Sequence, residues 1–359
     1  MKPLRVPTLP NSPLTSLADQ PVYGNLLLRL NRSLSFVENA EFDDRLAVYD
    51  DNYQNSQAHS PAFQQHMKKV LQLLKRHFPA SSKLVEVGCG KGDFLSLVES
   101  DGHFDATGYD ATYEGDNKRI QKRYLDRSER ITADVVVLRH VLEHIHAPHR
   151  FLSMIREIFR TGHVFIEVPS YDWIIDNQAF FDITYEHVNY FSQQSLLKLF
   201  RSPPLDSGLL FDGQYQYVIA GLEDLSGDFA RLYEGGDWET LDFYEVFPSL
   251  SKKMEDIEQR LQGGRVAYLW GAATKGGMFL VHCANQGRII DKVAFAVDVN
   301  PNKCGKFLPG SKVQIQDKAT FFRCATNADL LIIANPNYRS EIVEELLRNG
   351  LSDIKVVCL

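Results

Sequence analysis

Short apolar runs alternate with amphipathic stretches through most of the chain. KLVEV, at 83–87, has the unbroken hydrophobicity of a buried strand, whereas FQQHMKKVLQLLKRHF, at 63–78, has apolar residues at helical spacing. This alternation is typical of βαβ units in a parallel sheet that is covered on both faces. Because the rhythm restarts after Gly263-Gly264, the pattern predicts two such α/β units.

The first unit is predicted to begin with a helix over 61–78, with Ser60 as N-cap and Pro61 in its first turn. The other elements expected in this unit are strands at 83–90, 104–111, 133–141 and 162–170, and helices at 93–100, 149–159 and 192–200. They predict a doubly wound, Rossmann-like sheet.

The second unit follows a predicted amphipathic helix at 246–262. Its expected elements are strands within 265–277, 293–301 and 328–338, each followed by a loop or turn, then a helix at 340–350 and a strand at 354–359. Residues 1–20 are rich in Pro, Ser and Thr, which predicts an extended, partly mobile arm. We therefore expect a short irregular N-terminal segment at 1–60 and two Rossmann-like units at 61–245 and 246–359.

Composition narrows the classes of function. With 39 basic and 46 acidic residues, the net charge of −7 gives no support for a general nucleic-acid binder, although a local pocket could still hold an anionic small molecule. No run approaches the roughly 18 uncharged apolar residues that a membrane span requires. The five cysteines are scattered without a CxxC pair, which favours a reducing, cytoplasmic location.

A glycine loop follows the apolar strand that contains Glu86. Gly88, Gly90 and Gly92 permit a tight turn and close ligand approach, and Asp110 ends the next strand, where a carboxylate can bind ribose hydroxyls. This spacing is shared by nicotinamide-binding proteins and by enzymes that use S-adenosylmethionine. Two features favour S-adenosylmethionine. The glycines stand at every second position, and the acidic Glu86 would repel a pyrophosphate but suit an amino group or a sulfonium. The glycines could also serve the turn alone.

Three segments resemble the class I S-adenosylmethionine-dependent methyltransferase fold. They are VEVGCGKG at 85–92, RHVLEH at 139–144 and the strand that ends at Asp110. The resemblance implies that Arg139 and His140 lie beside the cofactor. A nicotinamide-dependent reductase or epimerase is the alternative from another class.

The segment YEHVNYF, at 185–191, concentrates reactive side chains. On a turn or short helix, Glu186, His187 and Tyr190 could converge on one pocket, in which the imidazole is a suitable base near neutral pH. The alternative is an aromatic loop that packs on the sheet and carries a surface histidine.

From about residue 36 to its end, the chain resembles the sugar-nucleotide C-methyltransferases of deoxysugar and polysaccharide biosynthesis. The resemblance rests on FVENAEFDD, YDDNY, SPAF, VEVGCGKG, RHVLEH, VPS, EHVNYFS, WGAATKG, VDVNPNKCGKFLPG and ANPNY. It implies methyl transfer to carbon, at C3 of a nucleotide-linked 4-keto deoxysugar. His187 then matches the base, Glu186 and Tyr185 lie beside it, and Tyr49 or Tyr53 could hydrogen-bond the developing oxyanion.

In that family the C-terminal unit binds the nucleotide diphosphate of the substrate. The residues that this implies are Gly271, Ala272, Thr274, Lys275, Gly276, Asp298, Asn300, Lys303, Lys306, Asn335 and Tyr338. A strand-to-helix glycine loop with a lysine is a plausible phosphate cradle, although the P-loop spacing is absent. The alternative is a second Rossmann-like unit without a ligand.

One departure from the family concerns zinc. Members usually begin with a small zinc domain that bears CxxC pairs, but the matching stretch here, LNRSLSFVEN, has no cysteine. We therefore expect a degenerate remnant of that domain within 1–60 and no bound metal, and the substrate range is open. Methylation of oxygen or nitrogen and a non-catalytic binding role also stay open, as does the choice between monomer and dimer.

Overall fold

The computed structural model describes residues 2–47 and 61–359. In chain order, its strands are β1 Leu4–Pro7, β2 Tyr23–Leu26, β3 Leu28–Asn31, β4 Phe36–Asn39, β5 Lys83–Val87, β6 Asp105–Tyr109, β7 Ile120–Gln121, β8 Val135–Arg139, β9 His163–Pro169, β10 Asn189–Phe191, β11 Asp206–Leu210, β12 Tyr215–Gly221, β13 Trp238–Thr240, β14 Ala267–Trp270, β15 Val293–Val297, β16 Ile315–Gln316, β17 Leu330–Ile333 and β18 Lys355–Cys358.

The α-helices in the described chain are α1 Pro61–His77, α2 Asp93–Asp101, α3 Pro148–Phe159, α4 Tyr171–Asp176, α5 Gln193–Leu197, α6 Gly227–Gly235, α7 Phe243–Val246, α8 Pro248–Arg260, α9 Thr274–Asn285, α10 Lys318–Cys324 and α11 Arg339–Arg348. Of these, α1, α2, α3, α8 and α11 fall close to predicted ranges, α5 is shorter than predicted, and the others were not predicted. Short 3₁₀ helices at Leu142–His144 and Phe180–Asp182 matter for the site. In the described part of the chain, no helix has the length and apolar character needed to cross a membrane.

A seven-stranded sheet forms the first unit, in the order β11-β12-β9-β8-β5-β6-β7. The strands from β9 to β7 are parallel, and β12 runs antiparallel to both β9 and β11. The central strand β8 is buried along its whole length, as expected where helices cover both faces of a parallel sheet. This topology confirms the predicted doubly wound fold and brings the carboxyl ends of β5, β6, β8 and β9 to one edge.

The second unit is a five-stranded parallel sheet in the order β16-β15-β14-β17-β18. Its first strand, β14, begins three residues after Gly264, where the apolar rhythm restarts. Both predicted Rossmann-like units are therefore present.

The expectation that residues 1–20 form a mobile arm is wrong. β1 pairs with β2, Leu14 forms a bridge with Phe307, and the Asn11 side chain donates a hydrogen bond of 2.6 Å to Thr274 Oγ1. Val6 is fully buried in a core that includes residues of α9. Long-range contacts with the second unit thus give regular structure to a segment whose local composition predicts an extended arm.

The N-terminal segment is also not irregular throughout. β3 and β4 join β10 and β13 in a four-stranded antiparallel sheet, in the order β10-β4-β3-β13. This sheet combines residues from within 28–39, 189–191 and 238–240, and the boundaries at 60 and 245 stay predictions. Because β10 begins two residues after His187, its pairing with β4 ties the predicted base to the N-terminal segment.

Phe36 tests how firmly this sheet is joined to the first unit. The ring is fully buried against Phe191, Phe229 and Trp238, at centroid distances of 4.9, 5.7 and 6.2 Å. Phe36→Ala should lower the free energy of unfolding by about 3–5 kcal/mol, because it leaves a cavity among these rings. Denaturant titration measures the loss.

The control is Tyr124→Ala, at a side chain that is 81% exposed, which should change stability by less than about 0.5 kcal/mol. A Phe36→Ala protein as stable as this control would show that the sheet does not contribute to the fold.

Candidate active site

The glycine loop that follows β5 has the conformation that its sequence predicts. Gly88 and Gly92 have φ values of +74° and +78°, and a Cβ on either would lie within 2.6 Å of a Val141 or Ile120 side-chain carbon. Gly90 has φ of +55° but open space where its Cβ would be. Gly88 and Gly92 thus serve the turn, whereas Gly90 leaves room for a ligand.

Asp110 lies at the carboxyl end of β6 and faces this loop. Its Oδ2 accepts a hydrogen bond of 2.8 Å from the Gly90 N–H, and its Oδ1 accepts from the Thr112 N–H and hydroxyl at 2.8 and 2.7 Å. The carboxylate therefore holds the loop in place, and its role in binding a ribose stays a prediction.

Glu86 fits a cationic ligand. Its side chain is buried, and its Oε2 has no hydrogen-bond partner among residues 2–47 and 61–359. Burial raises the pKa of Glu86 to about 8, Arg139 opposes that shift, and Asp110 adds to it. An unpaired buried carboxyl oxygen at a glycine loop is suited to the amino group of S-adenosylmethionine.

Arg139 and Glu167 form a buried ion pair at the adjoining ends of β8 and β9. Arg139 Nε donates to Glu167 Oε2 at 2.7 Å, and His66 Nε2 lies 2.5 Å from Glu167 Oε1. Burial would raise the pKa of Glu167, but Arg139 and then His66 outweigh it and hold this pKa well below its usual range. The charged carboxylate thereby fixes α1 to the sheet edge.

His140, the residue after β8, has an unusual backbone. Its φ is +51°, and its N–H donates to the Glu167 carbonyl at 2.9 Å. Its Nδ1 lies 3.3 Å from Glu143 Oε1, while its buried Nε2 has no hydrogen-bond partner in the described chain. The place of His140 beside the cofactor stays a prediction.

His187 lies in a cluster with Glu143 and His144. The rings of His144 and His187 are 4.9 Å apart, and one ligand atom from each of the three residues lies within 4.8 Å of the others. Burial lowers the pKa of His187 to about 3, with His144 adding to the shift and Glu143 opposing it. The imidazole is therefore neutral at physiological pH, the form that can accept a proton, but a pKa this low makes it a weak base in these surroundings.

The Nδ1 of His187 is buried and has no hydrogen-bond partner in the part of the chain that the structure describes. His144 differs, because its Nδ1 lies 2.8 Å from the Glu186 carbonyl oxygen. A carbonyl can only accept, so His144 Nδ1 carries the proton and donates it. Glu186 thus orients His144 through its backbone.

Hydrogen bonds lock the His187 segment to the 3₁₀ helix that carries Glu143. The Val188 N–H donates to the Glu143 carbonyl at 2.8 Å. The Asn189 side chain donates to the carbonyls of Leu142 and Ile145 at 2.9 and 2.6 Å. The spacing of His187 from Glu143 is therefore set by backbone contacts.

The two tyrosines near His187 have structural contacts. The Tyr185 hydroxyl accepts from the Asp43 N–H at 2.8 Å, and the Tyr190 hydroxyl donates to the Thr184 carbonyl at 2.9 Å. Both side chains are buried. They brace the segment, and their catalytic roles stay predictions, as do those of Tyr49 and Tyr53, which lie outside the described residues.

A cavity of about 410 Å³ opens beside this segment. Its lining residues are Phe42, Asp43, Asp44, Arg45 and His146. The Tyr185 hydroxyl binds Asp43 in the wall of this cavity, but Glu143, His144 and His187 are not among its lining residues.

In the second unit, Gly271 has φ of +111° and Gly276 packs so closely that a Cβ would lie 2.2 Å from the Gly271 oxygen. Lys303 is buried, and its ammonium donates to the Ala272 carbonyl at 3.1 Å and lies 3.4 Å from Asp298 Oδ2. The Lys303 ammonium is thus paired with groups of the same unit and is not exposed to solvent.

The remaining predicted residues of this unit lie around the same end of the sheet. Thr274 Oγ1 accepts from Asn11, and Asn300 caps the 3₁₀ helix Pro301–Lys303. Lys306 and Asn335 are half-buried, and Tyr338 is 50% exposed. Their roles in substrate binding stay predictions.

Lys275 joins the two units. Its ammonium lies 4.2 Å from the centre of the Phe181 ring, next to Asp182. Burial lowers the pKa of Lys275 and raises that of Asp182 to about 6, and each charge opposes the shift of the other. The second glycine loop therefore adjoins the segment that leads to His187.

Four residues of this site were not assigned to it from the sequence. They are His66, Glu143, His144 and Glu167. An acid inside the apolar strand of VFIEVP was a signal for Glu167, and the acid in LEH a weaker one for Glu143. His66 has no local signal, because it lies within an ordinary amphipathic helix.

Two groups of residues could in principle hold a metal ion, His66 with His140 and Glu167, and Glu143 with His144 and His187. In the first, both Glu167 oxygens are already bound by Arg139 and His66. In the second, His144 Nδ1 donates to the Glu186 carbonyl, which leaves Nε2 as the nitrogen that could bind a metal. The expectation that no metal is bound stays a prediction.

Residues 58–202 match the family described as a methyltransferase domain, and residues 243–357 match the C-methyltransferase C-terminal domain. The chain thus contains a region that matches a methyltransferase domain, followed by a region that matches the C-methyltransferase C-terminal domain. S-adenosylmethionine is the cofactor of its methyltransferase domain. The C-methyltransferase NovU of Streptomyces niveus is 26% identical over 244 residues, which cover 61% of this chain and 56% of NovU. The match thus spans little more than half of that relative's length.

Solved structures of methyltransferases match the first part of the chain. The Burkholderia thailandensis 1,6-didemethyltoxoflavin-N1-methyltransferase is 16% identical, with a TM-score of 0.34 over 45% of this chain and 80% of its own. The N-methyltransferase NodS of Bradyrhizobium japonicum is 14% identical, with a TM-score of 0.32 over 45% of this chain and 97% of its own.

Glu86 predicts a proton-linked cofactor affinity. With its pKa near 8, the free protein holds a proton on Glu86 at pH 7, and a bound cation favours the carboxylate. Binding of S-adenosylmethionine at pH 7 should therefore release up to about one proton, and the release should vanish well above pH 8. Calorimetry in buffers of different ionisation enthalpy counts the protons.

Glu86→Gln is the control, because it keeps the shape and cannot ionise. It should abolish the buffer dependence. Equal heats in all buffers for the unaltered protein would contradict a change in Glu86 ionisation.

The metal content should be well below one ion per chain. We expect elemental analysis of protein purified without chelators to show this, since both Glu167 oxygens in the first candidate group are engaged and the sequence has no CxxC pair. Stoichiometric zinc that is lost on His144→Ala substitution would contradict the prediction.

Proposed function

We propose that the protein transfers a methyl group from S-adenosylmethionine to a carbon atom, C3, of a nucleotide-linked 4-keto deoxysugar. The observation that carries the proposal is the neutral, partly buried imidazole of His187, whose Nδ1 is unpaired beside the junction of the two units. The C-methyltransferase C-terminal domain supports carbon as the acceptor. The scattered free cysteines support a cytoplasmic location.

The chemistry needs a base and a stabilised carbanion. His187 accepts the proton from C3, which the adjacent ketone makes acidic, and the electron pair is shared with the carbonyl oxygen. S-adenosylmethionine, when bound, supplies an electrophilic methyl group on its sulfonium. The chain holds the carbon in line with that group, and Tyr49 or Tyr53 is proposed to hydrogen-bond the enolate oxygen.

The position of Lys275 supports a nucleotide diphosphate as the handle of the substrate. Lys275 is the second residue of α9, whose first turn has free backbone N–H groups that favour anions, and its ammonium lies over the Phe181 ring next to Asp182, five residues before His187. A diphosphate bound there would extend its sugar toward the predicted base.

His187→Asn should reduce methyl transfer by roughly 10²–10⁴-fold and leave S-adenosylmethionine binding intact, because only the base is lost. Mass spectrometry of deuterium wash-in at C3, in heavy water with a 4-keto sugar nucleotide, separates carbon from oxygen or nitrogen chemistry. Because the pKa of His187 lies near 3, its protonation should not slow the reaction between pH 8 and pH 5.

His149→Asn is the matched control. His149 is also buried, has a pKa lowered by burial, and packs on Tyr233 away from the glycine loops. It should change the rate of the folded protein by less than about threefold. A His187→Asn protein with a near-normal rate, or methylation without wash-in at C3, would overturn the proposed function.

A further inference from the structure

Glu143 is a buried acid for which sequence reasoning gives no role. It lies on the 3₁₀ helix Leu142–His144, its side chain is 1% exposed, and its Oε2 has no hydrogen-bond partner among the described residues. Burial would raise the pKa of Glu143, but His140 and then His144 outweigh it and hold this pKa below its usual value. The carboxylate is therefore charged at neutral pH.

The charge is held at a fixed distance from His187. A carboxylate oxygen of Glu143 and a ring nitrogen of His187 lie within 4.8 Å of each other. The Val188 N–H donates to the Glu143 carbonyl at 2.8 Å. The Asn189 side chain holds the carbonyls on both sides of the same turn. A small backbone shift therefore does not separate the carboxylate from the imidazole.

Proton transfer to His187 creates a cation in surroundings that disfavour one. Burial and the neighbouring His144 and His140 all oppose its protonation. Two groups favour the protonated form of His187. Glu143 has the larger effect, and a hydrogen bond with the Asp182 backbone adds to it. The acidic Glu186 is next to His187 in the chain. The base thus needs a buried negative charge, and Glu143 provides it.

We propose that Glu143 is a positioning residue, the fixed counter-ion of the imidazolium that forms when His187 takes a proton from the substrate. The inference rests on the proposed function. In the step, the C3–H bond breaks, an N–H bond forms on His187, and the electron pair passes to the ketone as an enolate. Glu143 stays ionised throughout, and after methyl transfer His187 returns the proton to water.

The test measures deuterium wash-in at C3 with S-adenosylhomocysteine bound, so that methyl transfer does not contribute. The probes are TDP- and UDP-linked 4-keto-6-deoxyhexoses. Glu143→Gln should slow wash-in on the order of 10²-fold, the effect of removing a unit charge about 5 Å away at an effective dielectric constant of about 20. Glu143→Asp keeps the charge and should recover most of the rate.

Two further readouts separate a counter-ion from a merely structural residue. With a C3-deuterated probe and S-adenosylmethionine, the isotope effect on turnover should rise in Glu143→Gln, because proton abstraction becomes slower relative to the other steps. The control Asp329→Asn removes a buried carboxylate of the second unit that is bound by Thr326, and it should leave wash-in within about threefold.

The outcomes are distinguishable. No wash-in by the unaltered protein with either probe overturns the proposed function. Wash-in by the unaltered protein and by folded Glu143→Gln at similar rates overturns the counter-ion alone. If Glu143→Gln does not fold, Glu143→Asp decides, since an unchanged isotope effect in a slower Asp variant would also overturn the proposal.

Discussion

The Asn189 amide is the contact on which the site depends most. It donates to two carbonyls of the turn that follows β8, and its own strand pairs with β4. One side chain therefore connects the sheet edge of the first unit, the predicted base and the N-terminal segment. Because both amide hydrogens are used on backbone oxygens, the geometry around His187 does not depend on the rotamers of long side chains.

The buried charges of the site fall into two kinds. Glu167 is fully paired, with Arg139 on one oxygen and His66 on the other, and it serves to hold elements together. Glu86 and His187 each keep an unpaired buried atom and a pKa displaced toward the neutral form. Since unpaired buried polar atoms cost stability, their concentration at the glycine loop and beside Glu143 indicates surfaces that are completed by ligands.

Sequence reasoning recovers the elements whose signal is local. The glycine loops and most parallel strands of both units are predictable because apolar runs and positive-φ turns act within a few residues, whereas β7, β11, β12 and β16 were not predicted. The order in residues 2–20 is not, because its partners, such as Thr274 and Phe307, are distant in the chain. The same holds for Glu143. Its position in LEH does not predict a role, because its neighbour His187 is distant in the chain and is brought close only by the fold.

The N-terminal strands also set a mechanical limit. β2 pairs with β1 against the second unit, and β3 pairs with β4 against the first, yet Leu27 alone separates β2 from β3. The connection between these two pairs of strands is therefore one residue long. Any relative motion of the two units that keeps both pairings must therefore pivot at or near Leu27.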